Sequence, residues 1–225
     1  GVATNTGVYD VNSNLSDVTM NNLTALGTIK LDGNYPTGDR NVALGDTALD
    51  SVEAGGADNT VIGSKAGTTT TTGDRNTIYG SDAYRCNATA SDNTAFGYQA
   101  LHCNTTGHNN VAIGNALCKN LSGLYNVAVG SGALSSNTTT GSSNTAIGND
   151  ALDANTTASD NVAVGNGAMF ANTTGCQNTA IGRRALNTNI TGDNNVAVGF
   201  CALKLNTADN NTAVGFCSLA CNTTG

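Results

Sequence analysis

The sequence predicts an all-β protein, a parallel β-solenoid (β-roll) of about eleven coils with 17 residues each. First, a five-residue core, Asn-(Val/Thr)-Ala-apolar-Gly, recurs with few exceptions at steps of 16 to 18 residues. Second, this core is rich in β-branched residues, and Asn, Thr and Gly fill the rest of each repeat, which disfavours one helix per repeat. The copies begin at Asn41, Asn59, Asn76, Asn93, Asn110, Asn126, Asn144, Asn161, Asn178, Asn195 and Asn211.

The composition agrees with a thin core of small side chains. The 225 residues include 28 Gly, 1 Pro and no Trp, and only 4% are aromatic and 11% charged, whereas ordinary globular domains carry about 25% charged residues. Disorder is the other interpretation of such a chain, and the regular apolar columns argue against it. A net charge of −7 disfavours nucleic acid as a partner, because phosphate neutralisation needs a basic stripe. No window resembles a transmembrane span, so no membrane partner is expected.

The repeats divide the chain into three parts. Residues 1–22 lack the repeat and are expected to form a connector or stalk. Residues 23–40 begin with an imperfect core motif and are predicted to be a capping coil, and residues 41–225 are predicted to be the β-solenoid itself. The sequence has no initiator Met and stops within a repeat, so we expect a segment or a processed form of a longer polypeptide.

Each coil is numbered here from its Asn as position 0. Position 4 is Gly in every coil, which predicts a corner that needs positive φ or close backbone approach. A second apolar pair follows at positions 7 and 8, such as Ala151-Leu152, and then comes Asn at position 11 with a polar turn. This pattern predicts two short strands and two turns per coil.

Both faces of the first strand are apolar or small, because positions 1 and 3 share one face and position 2 takes the other. We predict that position 3 forms the coil core, in particular Ile113, Val129, Ile147, Val164, Ile181, Val198 and Val214.

Position 2, which is almost always Ala, is predicted to be the seam through which three copies meet. Small side chains suit close packing against a copy of the same surface, and cyclic symmetry closes such a contact. The alternative is that this row faces another part of the same chain. The seam residues are Ala95, Ala112, Ala128, Ala146, Ala163, Ala180, Ala197 and Ala213.

The Asn column at position 11 has two interpretations. In a secreted eukaryotic protein its Asn-x-(Ser/Thr) sites would accept glycans. The structural interpretation is preferred, since Asn tolerates left-handed turns and its amide can bond along a stack. The column includes Asn104, Asn137, Asn155, Asn172, Asn189 and Asn222.

The sequence offers no catalytic constellation, so we expect no enzyme activity, no metal and no cofactor. His102 and His108 lie in adjacent turns without a fixed acid or nucleophile partner. Asp residues recur before the next coil, but they supply only one carboxylate per coil, whereas Ca²⁺ takes several oxygen ligands.

Seven cysteines, an odd number, form no CxxC-type metal site. Cys86 and Cys103 share position 10 of successive coils, and Cys201 and Cys217 share position 6. Each pair is a disulfide candidate, although ladder neighbours often lack disulfide geometry. The default interpretation is that the cysteines are small buried residues.

The core motif resembles the head repeats of trimeric autotransporter adhesins, which are left-handed parallel β-rolls that trimerise through their coils. That repeat is shorter, so the likeness covers the motif alone. The longer pattern, NTAIGxxAL followed by NTTG, looks like repeat regions of tail-fibre and appendage proteins of tailed phages, marine cyanophages among them. This second resemblance spans residues 23–225 and includes the segment GTIKLDGNYPTG. It implies a homotrimer with intertwined or side-by-side coils.

The resemblance implies a structural shaft of a virion tail fibre, located outside the cell. The implied partners are further copies of the chain, other appendage proteins, and a host receptor bound by a tip outside this sequence. The alternative is an extracellular binding module: an ice- or glycan-binding solenoid, or a bacterial adhesin head. Ice binding needs Thr-x-Thr on a flat strand, but adjacent threonines such as Thr105-Thr106 point in opposite directions.

Overall fold

The computed structural model describes residues 40–45, 47–53, 55–136 and 140–224. The predicted connector at 1–22 lies outside these residues, and so does the predicted capping coil at 23–40 apart from Arg40. All described residues belong to the second of two compact units, Leu31–Gly225. They include no helix long and apolar enough to cross a membrane.

Eleven three-residue strands, one in each coil, form a single parallel sheet in chain order. Like positions pair with like, so that Ala146 lies opposite Ala163 and Ile147 lies opposite Val164. The described part of the chain is thus all-β, and the predicted parallel solenoid of about 17-residue coils is confirmed. The strands are β1 (Val42–Leu44), β2 (Thr60–Ile62), β3 (Thr77–Tyr79), β4 (Thr94–Phe96), β5 (Val111–Ile113), β6 (Val127–Val129), β7 (Thr145–Ile147), β8 (Val162–Val164), β9 (Thr179–Ile181), β10 (Val196–Val198) and β11 (Thr212–Val214).

The second predicted strand is wrong, because positions 5 to 10 form a series of turns. Asp150 and Leu152, at positions 6 and 8, have φ of 54° and 53°. A left-handed residue at every second position is incompatible with an extended strand. The Leu152 amide donates to the Ala168 carbonyl of the next coil (3.0 Å). The turn side of the coil is therefore hydrogen-bonded to the neighbouring coil, as the strand side is.

The strand face that lines the interior is the opposite of the one predicted. In β2 to β11, position 2 is 0 to 4% exposed and belongs to the intrachain hydrophobic core, so the predicted Ala seam is wrong. The correction applies to Ala95, Ala112, Ala128, Ala146, Ala163, Ala180, Ala197 and Ala213. Position 3 points outward, and Ile147 is 40% exposed. The predicted coil core of Ile113, Val129, Ile147, Val164, Ile181, Val198 and Val214 is therefore also wrong.

The physical reason is the narrow interior. Opposite the strand, position 8 is usually a fully buried Leu, and every coil with Leu there has Ala at position 2. The coil with Gly at position 8 agrees with this limit on volume. Where position 8 is Gly67, position 2 is enlarged to Val61 in the same coil and Ile78 in the next. A Cβ on Gly67 would lie 3.5 Å from a side-chain carbon of each, so these larger residues occupy the vacated space.

The corner at position 4 depends on glycine. Gly148 has φ of +131°, and a Cβ there would lie 2.7 Å from the carbonyl carbon and oxygen of Gly165 in the next coil. That distance is too short for any side chain, so the stacking of one coil on the next fixes this residue type.

Candidate interaction surface and thiol cluster

The outer sheet face consists of positions 1 and 3 of strands β1 to β11. Position 3 is apolar in every strand, and position 1 is Thr or Val, so these positions contain no charged residue. The position 3 column runs Leu44, Ile62, Tyr79, Phe96, Ile113, Val129, Ile147, Val164, Ile181, Val198 and Val214. The exposed fraction of Phe96 is 55%, and that of Ile181 is 42%. A continuous apolar surface of this kind is typical of interaction sites.

Aromatic residues stack where they occupy adjacent coils. The rings of Tyr79 and Phe96, on the outer sheet face, lie 4.9 Å apart with an interplanar angle of 12°. Phe200 and Phe216, just beyond the corner glycines, stack at 5.2 Å, and the Arg183 guanidinium lies 5.7 Å from the Phe200 ring centroid. The in-register stack therefore extends the apolar surface with ordered rings.

Charged residues border the outer sheet face in five coils, at the residue before the strand motif: Arg40, Asp58, Arg75, Asp92 and Asp160. Arg75 Nε lies 2.6 Å from Asp92 Oδ1, and Arg40 Nε lies 2.6 Å from Asp58 Oδ1. The hydrogen bond from Arg75 lowers the pKa of Asp92, and the bond from Arg40 lowers the pKa of Asp58. These exposed ion pairs give the apolar face a polar rim.

The Asn at position 0 closes the coil from within. Asn144 is fully buried. Its Nδ2 donates to the Ala158 carbonyl (2.9 Å), and its Oδ1 accepts the Asn161 amide of the next coil (3.1 Å). The side-chain amide of Asn144 thus joins its strand to the closing turn of the same coil and also joins that coil to the next one. Such buried, satisfied groups rigidify the fold.

The Asn column at position 11 lies inside the polar turn. Asn104, Asn155, Asn172 and Asn189 are fully buried, whereas Asn222 is half-buried and Asn137 lies outside the described residues. The Nδ2 atoms donate to the carbonyl three residues on, for example from Asn172 to Gly175 at 2.9 Å. This placement favours the structural interpretation over glycan attachment, because the Nδ2 atoms are buried and donate to carbonyls, and a sugar attached there would not fit in the folded coil.

The carboxylates and one histidine of the polar turns act on the backbone. His108 Nδ1 accepts the Ser91 amide at 2.9 Å, and Asp193 Oδ1 accepts the Cys176 amide at 2.7 Å. These side chains cap backbone donors of the preceding coil. Among the residues that the structure describes, no group of three Asp or Glu side chains has metal-binding spacing.

A thiol cluster, Cys86, His102 and Cys103, lies at the end of the turn side in two successive coils. Their sulfur and imidazole donor atoms all lie within 4.8 Å of one another. His102 Nδ1 lies 3.2 Å from Cys103 Sγ. The sequence pairs Cys86 with Cys103, but reasoning from it missed the contribution of His102. The available signal was a His directly before the second of two stacked cysteines.

The thiol cluster continues toward the next coil. Cys103 donates its amide to the Cys118 carbonyl at 3.0 Å. Burial raises the pKa of Cys103, and the neighbouring Cys86 thiol raises it further; burial also raises the pKa of Cys118. The Cys103 and Cys118 thiols are therefore held protonated to higher pH than a solvated cysteine.

A polar groove of about 350 Å³ lies on the turn side of the coils that begin at Asn144, Asn161, Asn178 and Asn195. It is lined by Asp150, Asn166, Gly167, Phe170, Arg184, Asn187 and Lys204. The groove combines charges of both signs with one ring, and it lies away from the outer sheet face and from the thiol cluster.

No family model, curated protein or solved structure matches this chain. Its architecture defines its class: a parallel β-solenoid with one short strand per coil and a continuous apolar outer sheet face.

Proposed function

We propose that this chain is a shaft segment of a homotrimeric fibre in a virion appendage and has no enzymatic activity. The observation that carries the proposal is the outer sheet face, an apolar column that crosses all eleven strands without a charged residue. At about 4.8 Å per coil, the column is roughly 50 Å long. Water contact along such a stripe is unfavourable, so a partner that covers it is expected.

The regular interval between outward-facing residues favours further copies of the same chain as the partner that covers the outer sheet face. Every coil repeats the same outward residue types at the same interval, with Val or Thr at position 1 and an apolar residue at position 3. A second copy presents the same interval, so contacts made by one coil are repeated by the next along the whole face. Three copies about one axis close this contact and leave no apolar edge free.

The assignment to a virion appendage rests on the sequence resemblance to tailed-phage fibres. In that setting the shaft has other appendage proteins as neighbours, and a receptor-binding tip elsewhere in the polypeptide contacts the host. The regular hydrogen-bonded stack supports a spacer role, because each Asn at position 0 fixes one coil to the next.

The binding-module alternative has less support. Thr156 Oγ1 donates to the Thr173 carbonyl at 3.0 Å, and Thr173 Oγ1 donates to the Ile190 carbonyl at 3.1 Å. These turn hydroxyls bond to the neighbouring coil and do not form a free flat array. A thermal-hysteresis assay is expected to show no ice-binding activity, and glycan-array binding would favour the alternative.

The test is the mass and shape of the chain in solution. Analytical ultracentrifugation with small-angle scattering is expected to give an elongated particle of three chains. The double variant Ile147→Glu with Ile181→Glu places two charges on the outer sheet face, and we expect it to be monomeric with an unchanged circular dichroism spectrum. Charge at the core of an apolar contact is strongly unfavourable, whereas on the free face it is solvated.

The matched control is Thr157→Glu with Thr174→Glu, which adds the same charges at exposed positions of the polar turn. This control should remain trimeric. A wild-type monomer at micromolar concentration, or an outer-face variant that still forms trimers, would contradict the proposal.

A further inference from the structure

We infer that Cys86, His102 and Cys103 form a binding site for one thiophilic cation with a filled d shell, Zn²⁺ or Cu⁺. The sequence alone led to the expectation of no metal, because Cys86 and Cys103 are 17 residues apart and show no metal-binding motif. Stacking of the coils brings them together. This inference is independent of the fibre proposal.

The donor atoms are already close to coordination distances. Zn–S bonds of about 2.3 Å and Zn–N bonds of about 2.0 Å in a tetrahedron place the ligand atoms roughly 3.5 to 3.8 Å apart. In this chain the three donors lie within 4.8 Å of one another, and His102 Nδ1 lies 3.2 Å from Cys103 Sγ. Small side-chain rotations therefore suffice to close the site around one ion.

The backbone under the ligands is fixed by the stack. Cys86 donates its amide to the His102 carbonyl at 2.9 Å, and His102 donates to the Gln99 carbonyl at 3.3 Å. Cys103 donates to the Cys118 carbonyl of the following coil at 3.0 Å. Each ligand residue is thus held by its own hydrogen bond before any ion arrives, which limits the ordering cost of binding.

The ligand set selects the class of cation. Two thiolates and one imidazole are soft or borderline donors, which suit Zn²⁺ and Cu⁺ and not Mg²⁺ or Ca²⁺. Cys86 is exposed and His102 and Cys103 are half-buried, so an ion has an entry path. A fourth position is left for water or for the Cys118 thiol, which follows in the next coil. Three ligands without a fourth would favour Cu⁺, and a fourth would favour Zn²⁺.

A second pair of stacked cysteines shows whether two neighbouring thiols are enough to bind an ion without a histidine. Cys201 and Cys217 occupy the same position of successive coils, but no His completes them in the described part of the chain. If two stacked thiols were enough, both pairs would bind an ion. If the imidazole is required, the Cys86–Cys103 pair alone should bind tightly.

The experiment uses the whole 225-residue chain, reduced and freed of metal by a chelator, and then titrated with Zn²⁺ or, in a second arm, with Cu⁺ kept reduced. Isothermal titration calorimetry is expected to show one tight equivalent per chain. Cys86→Ser with Cys103→Ser should abolish that equivalent. His102→Ala should weaken it by at least about tenfold, since even groups that only orient a ligand contribute that much.

Two matched variants complete the design. Cys201→Ser with Cys217→Ser should keep the full equivalent, and so should His108→Ala, which removes a histidine whose Nδ1 accepts a backbone amide. The inference is overturned if neither ion binds, if the Cys86/Cys103 variant binds as wild type, or if the purified chain holds Cys86 and Cys103 as a disulfide.

Discussion

Each coil has a strand side, positions 1 to 3, and a turn side, positions 5 to 10. Both sides form backbone hydrogen bonds to the neighbouring coils, but their backbone conformations differ. On the strand side, three extended residues bond to both neighbouring coils and direct one small side chain inward, as Ala146 does in β7. On the turn side, left-handed residues such as Asp150 and Leu152 alternate with ordinary ones. The interior is filled by this pairing of a small residue with a large one, Ala on one side and Leu on the other.

Glycine is required at the corner that ends the strand, but it is replaceable on the turn side. The corner at the end of the strand, such as Gly165 with φ of +132°, packs directly against the backbone of the next coil. Gly167 also has a positive φ, of +63°, but the equivalent residues in adjacent coils are Asp150 and Arg184, with φ of 54° and 57°. A positive φ alone therefore does not require glycine here, whereas close backbone approach does.

The largest expected effect comes from Gly165→Ala. Its Cβ would lie 2.7 Å from the Gly182 carbonyl, and its φ falls in a region that essentially only glycine adopts. We expect a loss of about 3 kcal/mol or more in the free energy of unfolding. The measurement is urea unfolding followed by circular dichroism.

Gly167→Ala is the matched control on the turn side. The nearest atom to its Cβ would be Asn187 Nδ2 at 3.5 Å, which is ordinary van der Waals contact. Its expected cost is about 1 kcal/mol, the strain of one left-handed residue. Equal losses for the two variants would show that the close approach at the corner is not what requires glycine.

A smaller effect on the free energy of unfolding is expected from enlarging a side chain on the inner face of the strand, compared with its outer face. Ala163 is fully buried, so Ala163→Leu overfills the interior and is expected to cost about 1 to 3 kcal/mol. Val164→Leu, on the outer sheet face of the same strand, should change the free energy of unfolding by no more than about 0.5 kcal/mol.

Both variants are compared under conditions that keep the chain in one association state, since the outer sheet face is proposed to bind further copies. The opposite ranking, with Val164→Leu the more harmful, would contradict the assignment of the interior to position 2.

The sequence was sufficient for the solenoid, its period, and the place of the one observed strand and its corner in each coil. These follow from columns that repeat at a fixed step, because like positions in a parallel stack lie next to one another. It was not sufficient for the direction of the strand faces, since both are apolar or small. The deciding signal was the exchange of volume between Gly67 and the enlarged Val61 and Ile78.

The turn side was harder to predict because side-chain types do not report its left-handed backbone. An apolar pair such as Ala151-Leu152 is typical of a strand, and nothing in a Leu side chain reports a φ of 53°. The same reason hid the thiol cluster. The sequence predicts His102 to be a turn residue without a fixed acid or nucleophile partner, and it does not report how a turn directs the side chains of His102 and Cys103. On the turn side they approach to 3.2 Å.

The smallest expected effect is at the rim of the strand side, where Arg75 and Asp92 pair in adjacent coils with Nε to Oδ1 at 2.6 Å. The hydrogen bond from Arg75 lowers the pKa of Asp92 below its usual 3.8, against a smaller opposing effect of burial. A carboxyl whose folded-state pKa is lowered contributes stability above its unfolded pKa. That contribution is lost as the pH falls through the lower folded-state value.

Asp92→Asn should therefore lower the thermal unfolding midpoint slightly at pH 7, and the difference from wild type should shrink as the pH falls below about 4 and vanish only below the folded-state pKa of Asp92, which is lower than 3.8. High salt should also shrink it, because exposed pairs are screened. Asp160→Asn is the matched control, since Asp160 occupies the same position of a coil, with Ser143 and Gln177 as its neighbours in the column. If both variants shift the midpoint equally at pH 7, the effect comes from net charge, and the ladder of ion pairs adds nothing to the stack.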